Sequence, residues 1–206
     1  MNGVLNIFKP KGMSSFDAVR VVKKVAGTGK VGHTGTLDPE ATGVLPICIG
    51  KATKIIDYIM DSEKVYEVTL KLGIRTTTYD LEGEVLEERD PSHLTEEEIL
   101  NAINSFKGEY SQIPPMYSAL KQNGVRLYEL ARKGIEVERK GRLVNIYNLE
   151  DIKINNPYIS MKVTCSKGTY IRSLCYDIGE KLGVFATMTQ LNRAKTSVFS
   201  QEKSIN

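Results

Sequence analysis

The residues best suited to chemistry lie between Val31 and Pro46, VGHTGTLDPEATGVLP, where one carboxylate, Asp38, stands beside His33, Thr34 and Thr36. Gly35 and Gly43 punctuate this stretch and allow the backbone to pass close to a ligand. Asp38-Pro39 is turn chemistry, and the proline keeps Asp38 out of the helical region. The plain alternative is an Asp-Pro turn closed by an Asx hydrogen bond. Such a turn needs only about four residues, and this polar run is far longer. A carboxylate displayed on a rigid loop is therefore expected, a candidate nucleophile or base.

Other chemistries lack their residues. The three cysteines (Cys48, Cys165, Cys175) form no CxxC pair, and the two histidines (His33, His93) have no zinc-like spacing. An odd number of cysteines in apolar surroundings fits a reducing, cytoplasmic setting. Gly29-Lys30 and Gly50-Lys51 lack the upstream glycine and the Ser/Thr of a Walker loop. The acidic run from Glu82 to Glu98 has no converging ligand spacing and reads as a solvated face. No metal, redox or nucleotide cofactor is expected. No segment approaches the eighteen or so apolar residues of a membrane span, and MNGVLNIFKPKG does not read as a signal peptide.

Charge is unevenly placed. Residues 1–60 carry +4, residues 61–100 carry −8 and residues 101–206 carry +7, giving the net +3. An acidic middle between basic ends suggests one face for a polyanion and another turned away from it. Lys9, Lys11, Lys121 and Arg126 are the phosphate contacts this reading offers.

The elements that must position Asp38 follow from periodicity. A strand is expected over Gly3–Phe8, then a helix capped at Ser14-Ser15 with Val19, Val22 and Val25 on its buried stripe. Val44–Ile49 reads as a buried strand, and Thr53–Met60 as a helix burying Ile55, Ile56, Ile59 and Met60. Tyr66, Val68, Leu70 and Leu72 alternate with polar residues, the mark of a half-buried strand, and a second strand near Val85 would complete a hairpin. Thr95-Glu96-Glu97-Glu98 is a capping box opening a helix through Phe106. Residues 107–126 read as a long functional loop, mobile without its ligand, followed by a short helix over Leu127–Lys133. Strands are expected near 143–150, at 159–165 and near 195–199, with a helix carrying Ile171, Leu174, Ile178 and Leu182 between the last two. The fold class is α+β: a mixed, mostly antiparallel sheet with flanking helices and a central cleft.

With these residues in view, the chain resembles the TruB-type pseudouridine synthases over nearly its whole length, from NIFKPKGMSS to MTQLNRA. The resemblance rests on GHTGTLDPEATG, on Lys64-Val65-Tyr66, on the run Arg75 to Gly83 (RTTTYDLEG), on SKGTYIR and on MTQLNR. It implies isomerisation of a uridine in the T-loop of tRNA, position 55, to pseudouridine. Asp38 would be the catalytic carboxylate and Arg172 the arginine that pairs with it. Tyr66, Tyr170, Leu191 and His33 would contact the flipped nucleotide, and Asp80 would organise its loop. A metal or nucleotide cofactor, a guide RNA and a membrane have no place in that reaction. The resemblance implies a cytoplasmic monomer whose partner is the tRNA T-arm, with residues 1–206 as the catalytic domain and the family's small C-terminal RNA-binding domain absent. A non-catalytic tRNA-binding or folding module using the same cleft is the alternative.

Overall fold

The computed structural model describes residues 1–205. In chain order the elements are β1 (Gly3–Lys9), α1 (Ser15–Ala26), β2 (Val31–His33), β3 (Thr42–Ile49), α2 (Ile56–Met60), β4 (Lys64–Leu72), β5 (Ile74–Thr76), β6 (Val85–Glu88) and α3 (Glu96–Asn104). There follow β7 (Gly108–Gln112), β8 (Lys121–Gln122), β9 (Val125–Arg126), α4 (Leu127–Ala131), β10 (Arg142–Asn155), β11 (Tyr158–Cys165), α5 (Ile171–Leu182), β12 (Ala186–Thr196) and β13 (Phe199–Ser200). The class is α+β with a mixed, mostly antiparallel sheet, as the periodicity implies.

Two compact units divide the chain: residues 1–68, 162–167 and 190–206 form the first, and residues 69–161 and 168–189 the second. Strands β4, β11 and β12 each lend a segment to both.

In the first unit, β3 is the central strand, buried from Val44 to Ile49. Strand β1 lies antiparallel along one edge, from Gly3 against Ile49 to Lys9 against Gly43. The other edge is shared. Strand β12 pairs there in parallel at Thr42 and Gly43, and β2 pairs antiparallel from Ile47 to Ile49. Between those two attachments the carbonyls of Val44 and Pro46 would be left open, and buried carbonyls must find donors. The Thr34 amide donates to Pro46 (3.1 Å) and the Arg193 side chain to Val44 (2.8 Å). Pro46 tolerates a central strand because no strand seeks its missing N–H on that stretch.

The helix α1 begins at a capping box between Ser14 and Asp17 and ends at Gly27 in the left-handed region. Its buried face is Ser15, Ala18, Val19 and Val22, while Val25 is exposed. The 3.6-residue period carries the stripe from Val22 toward Ala26, past Val25. Thr53–Met60 is not one helix. A 3-10 turn covers Gly50–Ile55 before the short α2, and only Ile59 of the four expected apolar residues is buried.

In the second unit, β10 pairs antiparallel with β7, and α3 opens on the expected Thr95–Glu98 capping box. The strand at Val85 does form a hairpin, with Ile74–Thr76 as its partner. The segment read as one long loop from residue 107 opens with β7, because Val144 and Ile146 of β10 offer it a ladder. Helix α4 stops at Ala131, and Gly134 closes the turn. The last long strand starts at Ala186, well before the 195–199 expected, so Leu191 and Arg193 stand on β12.

Gly43 has φ +114, and a Cβ there would lie 2.3 Å from the Arg193 carbonyl oxygen and 2.6 Å from its nitrogen. Gly43→Ala is expected to destabilise the protein by about 2 kcal/mol or more, through backbone strain and parting of β3 from β12. Urea unfolding measures it; a loss under about 0.5 kcal/mol would show that this crossing is loose.

Candidate active site

Asp38 lies in the loop between β2 and β3, half-buried, with both neighbours fixed by buried side chains. On one side the Leu37 amide donates to Ser15 Oγ (2.8 Å), and that hydroxyl donates back to the Leu37 carbonyl (3.0 Å). On the other, the Pro39 carbonyl accepts from Lys9 Nζ (3.1 Å) and from the Gly12 amide (2.9 Å). The Ala41 amide closes the turn on the Asp38 carbonyl (3.1 Å). Lys9 is fully buried, and its ammonium also serves the carbonyls of Pro10 and Met13. It is thus an anchor of the loop, and the phosphate contact expected of it is corrected. A three-donor ammonium inside the protein is spent where backbone carbonyls would otherwise go unpaired.

The residue that ties this unit together is Arg193, only 1% exposed. Its Nε donates to Val44, Nη2 to the Gly35 carbonyl (3.1 Å) and Nη1 to the Thr36 carbonyl (3.5 Å). Its charge also acts on the nearby Tyr66 phenol. Burial raises the pKa of that phenol, the charge on Arg193 opposes the rise, and the Asp38 carboxylate adds to it. His33 accepts the Gly35 amide on Nδ1 (3.2 Å), so the neutral ring carries its proton on Nε2. Burial and the Arg193 charge both lower its pKa. Leu191, half-buried two residues before Arg193, lies on the same face of β12. His33, Asp38, Tyr66 and Leu191 therefore all belong to the first unit, and Arg193, absent from the expected set, links several of them. Its one sequence cue was its place beside Leu191 in MTQLNR.

The second unit carries Arg172 and Tyr170 at the start of α5. Arg172 is buried, and its Nη1 and Nη2 donate to the carbonyls of Thr78 (3.1 Å) and Tyr117 (2.9 Å). Its Nε lies 3.7 Å from the Asp80 carboxylate. Asp80 in turn accepts from the Glu82 amide (3.0 Å) and the Thr78 hydroxyl (2.5 Å), so it organises its loop and faces Arg172 as well. Tyr170 is held by Gln112, whose amide accepts the Tyr170 N–H (2.8 Å) and donates to its carbonyl (3.1 Å). Sequence reading passed over Gln112 because it lay inside the supposed loop. Among the described residues, no group of three or more His, Cys, Asp or Glu could hold a metal ion. Nor, among the described residues, is any helix long and apolar enough to cross a membrane.

Lys64 donates to the carbonyls of Met60 (2.8 Å) and Ser62 (2.7 Å), and burial, aided by the Arg193 charge, pushes its pKa down to about 8. Lys9 is also pushed down to about 8 by burial, against the attraction of Asp38 and Glu40. A folded-state pKa below the unfolded value means that the unfolded chain holds more protons between the two. The penalty for charging each lysine is full below about pH 8 and is relieved as pH rises toward the ordinary value of 10.5. Lys64→Met should remove roughly half of the stability that these two sites regain between about pH 7 and about pH 9.5. Urea unfolding at the two pH values measures it, and an unchanged pH dependence in the variant would contradict the burial of this charge.

Comparison with known proteins places the chain in a family. Residues 23–171 match the model of the TruB family pseudouridylate synthase N-terminal domain, and residues 172–206 that of the tRNA pseudouridylate synthase B C-terminal domain. The chain is 68% identical over its whole length to a tRNA pseudouridine synthase B of Clostridium perfringens, covering 70% of that protein. It is 65% identical to the one of Clostridium tetani, covering 71%. Among solved structures, a chain of a Cbf5-Nop10-Gar1 complex superposes with a TM-score of 0.76 at 32% identity. That match takes in 98% of this chain and 51% of the other, so the chain spans about half the length of that relative. The carboxylate loop, the K-x-Y strand and the arginine-bearing helix are thus read in a known context: the chain belongs to the TruB family of pseudouridylate synthases.

Proposed function

We propose that this chain converts the uridine at position 55, in the T-loop of tRNA, to pseudouridine, with Asp38 as its catalytic carboxylate. The reaction breaks the bond from ribose C1′ to N1, turns the base, and joins C1′ to C5. N1 gains a proton and C5 loses one, so no electrons and no outside atoms enter. What the chemistry needs is a carboxylate directed at the sugar and a closed pocket for the detached base. The nucleotide must first leave its stack.

The observation that carries this reading is the mounting of Asp38. Leu37 and Pro39, its two neighbours, are bonded through their backbones to Ser15 and Lys9, and the Tyr66 phenol feels its charge. A carboxylate held this way loses little freedom when substrate arrives. The remaining roles follow the family resemblance. Tyr66 lies against the uracil, Tyr170 and Leu191 complete the base pocket, and His33 stacks near the flipped nucleotide. Arg172 orients Asp38 for reaction. The substrate is the T-arm stem-loop, read by one copy of the chain without a guide RNA. Exposed basic residues such as Lys11, Lys121 and Arg126 would meet phosphates, and the acidic stretch beyond Asp80, from Glu82 to Glu98, would face away.

Tritium release from an unmodified T-arm hairpin labelled at C5 tests the reading with protein and RNA alone. Wild type should release tritium. Asp38→Asn should release none yet bind the hairpin as tightly as wild type or slightly better, since it removes a negative charge beside a polyanion. Folded wild-type protein that binds the hairpin without release would show a binding module instead. Arg172→Lys keeps charge and loses the planar fork, so its turnover should fall on the order of a hundredfold. Full activity in that variant would reduce the role of Arg172 to charge alone.

A further inference from the structure

Position is the scarce quantity for Asp38. Its loop forms no ladder of its own between Thr34 and Ala41, so its conformation must be imposed from outside. Two buried side chains impose much of it. Arg193, from β12, binds the carbonyls of Gly35 and Thr36 before Asp38 and that of Val44 after it. Ser15, from the first turn of α1, binds both the amide and the carbonyl of Leu37, the residue immediately before Asp38. Ser15 is 3% exposed, so its hydroxyl faces the loop and not water.

The arrangement is costly unless it serves something beyond packing. A buried guanidinium must find acceptors for its fixed fork of donors, and aliphatic residues of similar volume would often be as stable. Here those acceptors are the carbonyls of Gly35, Thr36 and Val44, so one rigid plane ties the Asp38 loop to β3. The close approach at Gly43 fits the same demand, because it brings the Arg193 backbone against β3.

We infer that Arg193 and Ser15 are positioning residues for the reaction, setting the Asp38 loop from two separate elements, β12 and α1, without touching the reacting atoms. This inference rests on the proposed isomerase activity. Wild-type tritium release tests that activity by itself, so the two can fail separately.

The test compares wild type, Arg193→Lys and Ser15→Ala in three measurements: circular dichroism melting, hairpin affinity, and the single-turnover rate at saturating protein. Lysine keeps the charge but reaches fewer of the carbonyls. Arg193→Lys is expected to fold and to bind the hairpin within about threefold of wild type, with a single-turnover rate lower by on the order of a hundredfold. Ser15→Ala should lose roughly tenfold in the same rate, again without a change in affinity. A folded Arg193→Lys with a rate within threefold of wild type would overturn the inference. So would a loss of rate that disappears at saturating protein, which would make Arg193 a residue of RNA binding. Should Arg193→Lys fail to fold, Ser15→Ala decides: an unchanged rate overturns the inference and a tenfold loss at intact affinity sustains it.

Discussion

One buried guanidinium organises the first unit. Strand β3 has an edge that β12 and β2 only partly cover, and the opening between them is where the carboxylate loop begins and ends. Arg193 fills that opening with hydrogen bonds in place of a strand. A charged group at 1% exposure is tolerated because each bonded face of the fork meets a backbone carbonyl. The backbone needs a donor and the donor needs acceptors, so neither half of the arrangement stands alone. This mutual requirement gives an irregular loop a single shape.

The second unit solves the same problem by similar means. Arg172 lies at the start of a helix whose preceding residue, Tyr170, is gripped by the Gln112 amide through both of its backbone groups. Two loop carbonyls then fix the guanidinium, with Asp80 facing it. In both units, motif residues are aimed by side chains bonded to main-chain atoms. Such bonds depend on backbone geometry and survive changes of neighbouring side chains, which suits a site that must hold its shape to a fraction of an ångström.

The sequence disclosed much of what depends on local period or local capping. The alternation of β4, the run of β3 and the capping boxes at Ser14 and Thr95 could be read directly, because each is decided within a few residues. Misreadings came where a distant partner decides. Strand β7, inside the supposed loop, exists because β10 lies beside it, whereas Val25 was a misreading of the local period itself, an i, i+3 match that falls off the helical stripe. Lys9 looked like a surface cation, yet three carbonyls claim it from inside the fold. Asp38 stood out from the make-up of its loop, but its role and those of Tyr66, Arg172 and the other site residues came from motif resemblance, since no period marks a catalytic group. Arg193 and Gln112 were missed for the converse reason: their work is done through backbone atoms far away in sequence, which leave no side-chain pattern to read.

The central claim is that the Asp38 loop is formed before any RNA arrives. Native-state hydrogen exchange on the free protein tests it most directly, through the amides of Thr34 and Leu37, whose acceptors are the Pro46 carbonyl and Ser15 Oγ. Both should exchange as slowly as amides of β3, opening only with the larger unfolding of this unit, and adding a T-arm hairpin should change them little. Fast exchange in the free protein that slows only when the hairpin binds would contradict the account, because the substrate would then be building the loop.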